Sequence, residues 1–369
     1  MTLIQTLLKP LYIFKRKKFP KKINKILVFK IGALGDVVML TPFLRELRKN
    51  FPNKRIDFLI GNYAKPVLEN NPNIDEIISF DQNLVFNKNI KELLNLAKRI
   101  KKRKYDVCFV LDKAWQFGVL SSMFGCFRIG FDRLGEGFAN NISVPYNYTI
   151  KHETNYYLDV LDAMGLNVSK VDKTPEIYLV KQDEDFAEKL FQKNNLENKK
   201  VIGVVPGGAN NPAVGIDFIR RLNPDKFIEF IKIISKKHPV VLLGAMSDSD
   251  FNNEIIKKVG AKNVFNFPTK LVQQSVAIMK RCSWVVANDS GPMHFAAASG
   301  TKVLSLFGPT DPKRKAPLTK GSVSIWKDED IYEPDYEVYG TKPKTKDFFS
   351  RIKVEDLVNV ILPDCKDKK

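Results

Sequence analysis

Two short loops in this chain carry residue types that could do chemistry. The first is Gly32-Ala33-Leu34-Gly35-Asp36, which follows an apolar run directly. A carboxylate there would oppose a bound phosphate. Held at the mouth of a cleft with its lone pairs available, Asp36 suits general base catalysis on a hydroxyl. Gly32 and Gly35 let another molecule approach the backbone closely. The loop is neither the GxGxxG dinucleotide fingerprint nor a Walker loop, since no Gly-Lys-Ser/Thr follows. The second loop is Asn288-Asp289-Ser290-Gly291-Pro292, with His294 just beyond. It reads as strand end, helix cap and first helical turn. A helix N-terminus offers N–H donors and positive potential, which suits a diphosphate. Upstream, Gly207 and Gly208 lie in a loop built for close ligand approach. Arg220 and Arg221, shortly before Pro224, are placed for a phosphate contact. Asp248, after another apolar run, is placed to accept from ribose hydroxyls. Taken singly, each residue has a plainer role: Asp36 and Asp289 as caps, Pro292 as a first helical residue, Arg221 as a solvated lead-in. Their grouping at the ends of strands favours the functional role.

The elements that must position these residues alternate. Strands are expected over Lys25 to Ile31, Arg55 to Ile60, Ile77 to Phe80, Tyr105 to Leu111 and Arg128 to Phe131. Helices are expected after Asp36, near Ile90 to Lys102, near Trp115 to Phe124 and near Glu153 to Met164. Pro42 falls inside the apolar spacing of Val37, Leu40, Leu44 and Leu47, so the first helix is expected as a short turn capped by Asp36 that restarts at Thr41-Pro42. The pattern begins again with strands Lys200 to Val205, Val240 to Gly244, Trp284 to Ala287 and Val303 to Phe307. Such alternation predicts α/β architecture with parallel, doubly wound sheets, whose ligands bind at C-terminal strand ends. The expected division is a basic amphipathic leader (1–24), a first domain (25–182), a second domain (183–350), and a C-terminal helix and tail (351–369) that packs back on the first domain.

With 369 residues, 44% hydrophobic and 27% charged, the composition is that of a globular chain with room for two cores. Lysine and arginine outnumber acids 60 to 41, a net charge of +19. That balance implies anionic partners, alongside a general lysine bias. Residues 1–25 hold basic side chains without one acid, interspersed with leucine and isoleucine. They are too short and interrupted for a membrane span, and are expected to lie on an anionic membrane surface or to form a basic leader. Four scattered cysteines imply reduced thiols and no metal site. Nucleic acid is not an expected partner, because no recognised module appears and the lysines are spread throughout.

The stretches KILVFKIGALGDVVMLTPFLRELRKNFP and ANDSGPMHFAAASGTKVLSLFGPTDP together resemble glycosyltransferase family 9, the ADP-heptose:lipopolysaccharide heptosyltransferases. The resemblance implies two Rossmann-like domains facing a cleft, the glycosyltransferase B architecture. It implies inverting, metal-independent transfer of a heptose from ADP-heptose to a hydroxyl of the lipopolysaccharide or lipooligosaccharide inner core, with no cofactor. Asp36 would be the general base. Gly207, Gly208, Arg221, Asp248, Asp289, Ser290, Gly291, Pro292 and His294 would hold the donor, and Gly32 and Gly35 would line the acceptor or phosphate loop. The expected setting is cytoplasmic, peripheral on the inner membrane, with the glycolipid acceptor and the anionic leaflet as partners. Arg221 stands where the family usually has lysine, and Ala33 where a hydroxyl residue is common. These departures keep open another nucleotide-sugar or glycan acceptor, or a catalytically idle nucleotide-sugar binder.

Overall fold

Runs of Val, Ile, Leu and Phe too short for helices become the buried strands of two parallel sheets. The computed structural model describes residues 12, 17–147, 151–208, 210–211, 215–216 and 218–363. Most of the leader, much of the loop after Gly208, and Cys365 lie outside the described residues.

The chain divides into two units between Lys173 and Thr174. The first unit runs β1 (Lys25–Phe29), α1 (Leu34–Asn50), β2 (Arg55–Gly61), β3 (Glu76–Phe80), α2 (Ile90–Lys102), β4 (Val107–Val110), α3 (Trp115–Ser122), β5 (Phe127–Asp132), β6 (Ile142–Pro145) and α4 (Glu153–Asp162). Its sheet has the order β3-β2-β1-β4-β5-β6. Val28 of β1 is in register with Phe58 on one side and Phe109 on the other, all pairs parallel. The strand order therefore reverses between β1 and β4, which makes their C-terminal ends the switch point of the sheet.

The first helix does not restart at Pro42. It runs unbroken from Leu34 to Asn50, with Ala33 as its N-cap and Asp36 in the first turn rather than in the capping place. A proline has no N–H for the carbonyl four residues earlier. Here that carbonyl, on Val38, accepts from the Thr41 hydroxyl at 2.8 Å, so the buried helix keeps its acceptor satisfied. Thr41→Val should orphan it and cost about 1–3 kcal/mol, read as a lowered urea midpoint.

A cluster of charge closes the opposite edge of this sheet. Glu76 bonds Arg103 at 2.7 Å and also pairs with Arg55. The Arg103 hydrogen bond holds the Glu76 carboxyl below its ordinary value, against the cost of desolvation. Stability from a depressed carboxylate is present above its unfolded pKa and lost as pH falls through the folded one. Glu76→Gln should therefore cost less than about 1 kcal/mol near neutrality and nothing in strong acid, a difference visible in unfolding midpoints measured against pH.

The second unit contains α5 (Lys181–Lys193), β7 (Ile202–Val205), α6 (Pro224–Ile234), β8 (Val240–Ala245), α7 (Ser249–Val259), β9 (Val264–Thr269), α8 (Val272–Lys280), β10 (Trp284–Asn288), α9 (Gly291–Ala298), β11 (Lys302–Phe307), β12 (Val323–Trp326) and α10 (Val354–Ile361). Its sheet is ordered β9-β8-β7-β10-β11-β12, the same winding as the first. Helix α5 belongs here, joined to α8 and the residue after it by Lys280–Glu184 at 2.8 Å and Arg281–Glu188 at 3.3 Å. The last helix, α10, buries Val354, Leu357 and Ile361 in the same core as Phe227 and Ile231 of α6, so its apolar face is covered within this unit. Cys108, Cys126 and Cys282 are free and buried, and burial pushes Cys282 up to about 12.

Candidate active site

Strand β1 ends at Phe29, two residues earlier than the apolar run suggests, and this leaves Lys30 and Ile31 in the loop. Lys30 is nevertheless buried. Its ammonium sits 3.2 Å from an Asp112 carboxylate oxygen and 3.7 Å from one of Asp36. Asp112, just past β4, accepts the backbone N–H of Ile31 at 2.6 Å. One cation is thus shared by two carboxylates at the switch point, and one of them also fixes the loop that carries the cation. Burial raises the Asp112 pKa, and the Lys30 charge and the Ile31 bond oppose that rise. Beside them the Lys113 ammonium lies 2.7 Å from both the Tyr146 hydroxyl and a Glu153 oxygen, and Tyr146 donates to Glu153 at 3.0 Å. Tyr157 is fully buried, and its hydroxyl has no hydrogen-bond partner among the described residues. Burial, then the charge of Asp36, pushes that phenol well above its ordinary value, so it remains protonated.

Gly32 lies in the same loop with space around it, the nearest contact for an added Cβ being Ala64 at 4.0 Å. Gly35 falls inside α1, next to Asp36. The first unit therefore gathers Gly32, Gly35 and Asp36 as expected, and adds Lys30, Asp112 and Tyr157. The signal for Lys30 was a lysine at the end of an otherwise apolar strand, and for Asp112 an acid closing a buried one.

In the second unit the loops after β7 and β10 meet at the equivalent switch point. Asn288, at the end of β10, is the buried organiser. Its amide donates to the Pro206 and Gly207 carbonyls at 3.1 and 3.2 Å, and its oxygen accepts from the Leu222 N–H at 3.0 Å. Asp289 next to it is buried and pairs with Arg220 at 2.8 Å; Arg220 also donates to the Asp289 carbonyl at 2.7 Å, and the Thr310 hydroxyl donates to the carboxylate. Ser290 is the N-cap of α9, but its hydroxyl turns back to the Asn288 carbonyl at 3.2 Å and makes no capping bond to the helix. Gly291 and Pro292 form the first turn, and His294 follows, buried.

The glycines here are required by contact. Gly208 has φ of +85°, and a Cβ on it would stand 2.5 Å from the Ser290 hydroxyl. A Cβ on Gly207 would come within 3.0 Å of the Asp248 carboxylate. Asp248 accepts from the Ala245 N–H at 2.8 Å, which seats it over the ends of β7 and β8. Arg221 donates through Nε and a terminal nitrogen to the Gly208 carbonyl, the former at 2.8 Å. Burial lowers the Arg221 pKa, opposed by the charge of Asp248, and a guanidinium so placed stays charged. All nine expected donor residues thus fall on one edge of this sheet. Asn288 and Thr310 join them, and Arg220, expected with Arg221 at a phosphate, is paired instead with Asp289; the framework roles of Asn288 and Arg220 depend on long-range contacts that spacing does not reveal. Among the described residues, no three His, Cys, Asp or Glu side chains assemble as a metal site.

One doubly wound half holds a carboxylate beside a buried lysine, a grouping able to accept a proton from a hydroxyl, and the other holds a helix N-terminus flanked by glycines and arginines, a grouping able to bind an anion. A family model described as glycosyltransferase family 9 (heptosyltransferase) matches residues 93–338. Among curated relatives, the lipopolysaccharide core heptosyltransferase OpsX of Haemophilus influenzae is 24% identical over 360 residues, covering 92% of this chain and 96% of the relative. Lipopolysaccharide heptosyltransferase 2 of Escherichia coli is 25% identical over 307 residues, covering 80% and 86%. A glycosyl transferase family 9 structure from Veillonella parvula superposes with a TM-score of 0.76 at 22% identity, covering 94% of this chain and 97% of that one. The E. coli heptosyltransferase WaaC with ADP-2-deoxy-2-fluoro heptose gives 0.69 at 13% identity, covering 92% and 99%. The fold is that of the glycosyltransferase B heptosyltransferases. The chain belongs to glycosyltransferase family 9 and is a glycosyltransferase.

Proposed function

We propose that this enzyme moves a heptose from ADP-heptose to a hydroxyl of a lipopolysaccharide or lipooligosaccharide inner core, with inversion and without a metal or other cofactor. The observation that carries the reading is the placement of Asp36 in the first turn of α1, 3.7 Å from a buried lysine at a sheet switch point. A carboxylate at this place can accept the proton of an acceptor hydroxyl as that oxygen attacks the anomeric carbon. The nucleoside diphosphate leaves with its charge facing the α9 N-terminus and the Arg221 guanidinium, whose fixed dipoles and charge need no reorganisation. Asp248 accepts from ribose hydroxyls, while Gly207 and Gly208 let the diphosphate lie close to the backbone. The names of the curated relatives support the heptose and the core acceptor. The proposed setting is the cytoplasmic face of the inner membrane. No helix among the described residues is long and apolar enough to cross a membrane.

The test is ADP release from ADP-heptose with a truncated lipopolysaccharide acceptor, run with and without chelator, with the anomeric configuration of the product read by NMR. Release unaffected by chelator and an inverted product are expected. Retention of configuration, or abolition by chelator, would overturn the mechanism. A second reading keeps the chemistry but changes the nucleotide-sugar, favoured by Arg221, which donates twice to Gly208 at the position where the family usually has lysine. Turnover with another donor and none with ADP-heptose would select it.

A further inference from the structure

Helix α2 buries Leu96, Ala97 and Ile100 against the first sheet, with Leu93 packed beside them. At about 100° per residue these positions fix the inward face of the helix. Ile90 and Leu94 fall on one shoulder outside that face and remain 63% and 40% exposed; Phe86, in the helical turn just before, is 46% exposed. The same shoulder continues into Lys91, Lys98 and Lys101, all exposed. The one acid of the helix, Glu92, lies on the other side, where Asn95 donates to it at 3.4 Å. At the far end, the Lys101 stem passes Gly125, whose carbonyl accepts from Lys17. Phe19, 48% exposed, stands edge-on to Phe127 at 5.1 Å and extends the surface.

We propose that this face of α2 is a docking surface for an anionic lipid bilayer. The helix lies in the plane of the interface, with Phe86, Ile90 and Leu94 entering the acyl boundary and the lysines reaching headgroup phosphates. Charge complementarity selects that occupant. A protein partner would bury the apolar shoulder in a core that excludes lysine, and a nucleic acid would use the lysines but leave the aliphatic shoulder in water. Because α2 joins two parallel strands, β3 and β4, it starts at the C-terminal edge of the sheet. Its apolar end is therefore at the edge that carries Asp36, which is where an acceptor held in a membrane would be met. The proposal deepens the glycolipid reading above and rests on it for that last step, but bilayer binding itself does not depend on turnover.

The experiment is cosedimentation of the full chain with phosphatidylcholine vesicles, with and without phosphatidylglycerol. It is repeated for an Ile90→Ser/Leu94→Ser variant and a Lys98→Glu/Lys101→Glu variant whose thermal unfolding matches the parent. The parent should bind only the anionic vesicles, and each variant should partition about tenfold or more weakly. ADP release with a soluble, delipidated acceptor should be the same in all three, so failed docking and failed catalysis are separable. Parent-like binding by both variants would overturn the assignment and give the membrane contact to another segment, such as residues 1–16. Equal binding to neutral vesicles, no binding by the parent, or a dimer that the Ile90→Ser/Leu94→Ser change converts to monomer while vesicle binding persists would each overturn it as well.

Discussion

Asp36→Asn is expected to lower kcat by about 10²–10⁴-fold while leaving the affinity for ADP unchanged. The amide has nearly the shape of the carboxylate but cannot take a proton from the acceptor, so the loss falls on the chemical step. The residues proposed to hold the donor are on the second unit, so calorimetric ADP binding should be that of the parent. A variant that retained full turnover would remove Asp36 from the mechanism. A variant that lost ADP binding would give it a different role.

Lys30→Met should have two effects that separate by pH. The Lys30 ammonium lies 3.7 Å from the Asp36 carboxylate, and its removal should make that carboxylate easier to protonate. The acid limb of kcat/KM should therefore move to higher pH. The second effect is on stability. The Asp112 side chain, 10% exposed, relies on the buried Lys30 at 3.2 Å, and stranding one member of such a pair costs about 3–5 kcal/mol near neutrality. Burial already holds the Asp112 pKa above its ordinary value, and loss of the lysine removes an influence that lowers it. Protonation neutralises the stranded group, so the stability deficit should shrink as pH falls. Lys30→Arg, which keeps the charge, should restore the acid limb more fully than it restores stability. A pH profile unchanged in Lys30→Met would show that the lysine serves the fold alone.

Much of this was legible in the residues. The periodic apolar runs located the major strands at the centre of both sheets, because a strand buried on both faces must be apolar throughout. The loops at their ends followed, and the residues named for the donor lie in or beside those loops. Strands at the sheet margins were harder to see: β9 includes Asn266 and Pro268, and β6 ends in a proline, so neither reads as a buried run. Pro42 pointed to a broken helix because the bond from Thr41 that replaces the missing amide is a matter of side-chain rotamer. The contacts of Lys30, Asn288 and Arg220 were the least visible. Their partners lie 82, 82 and 69 positions away along the chain, and only the folded sheet brings them together.

The two sheets share one winding, so their strands correspond in order. The fourth strand of each half, β4 and β10, ends close to an aspartate, Asp112 or Asp289, and each aspartate is tied to a cation of its own half, Lys30 or Arg220. Each half therefore holds an electrostatic hub built from its own residues. Such a chain is modular: a chimera that takes its second half from a relative with a different sugar preference would exchange the donor site as a wired unit. Asp36, the proposed general base, would keep its own wiring.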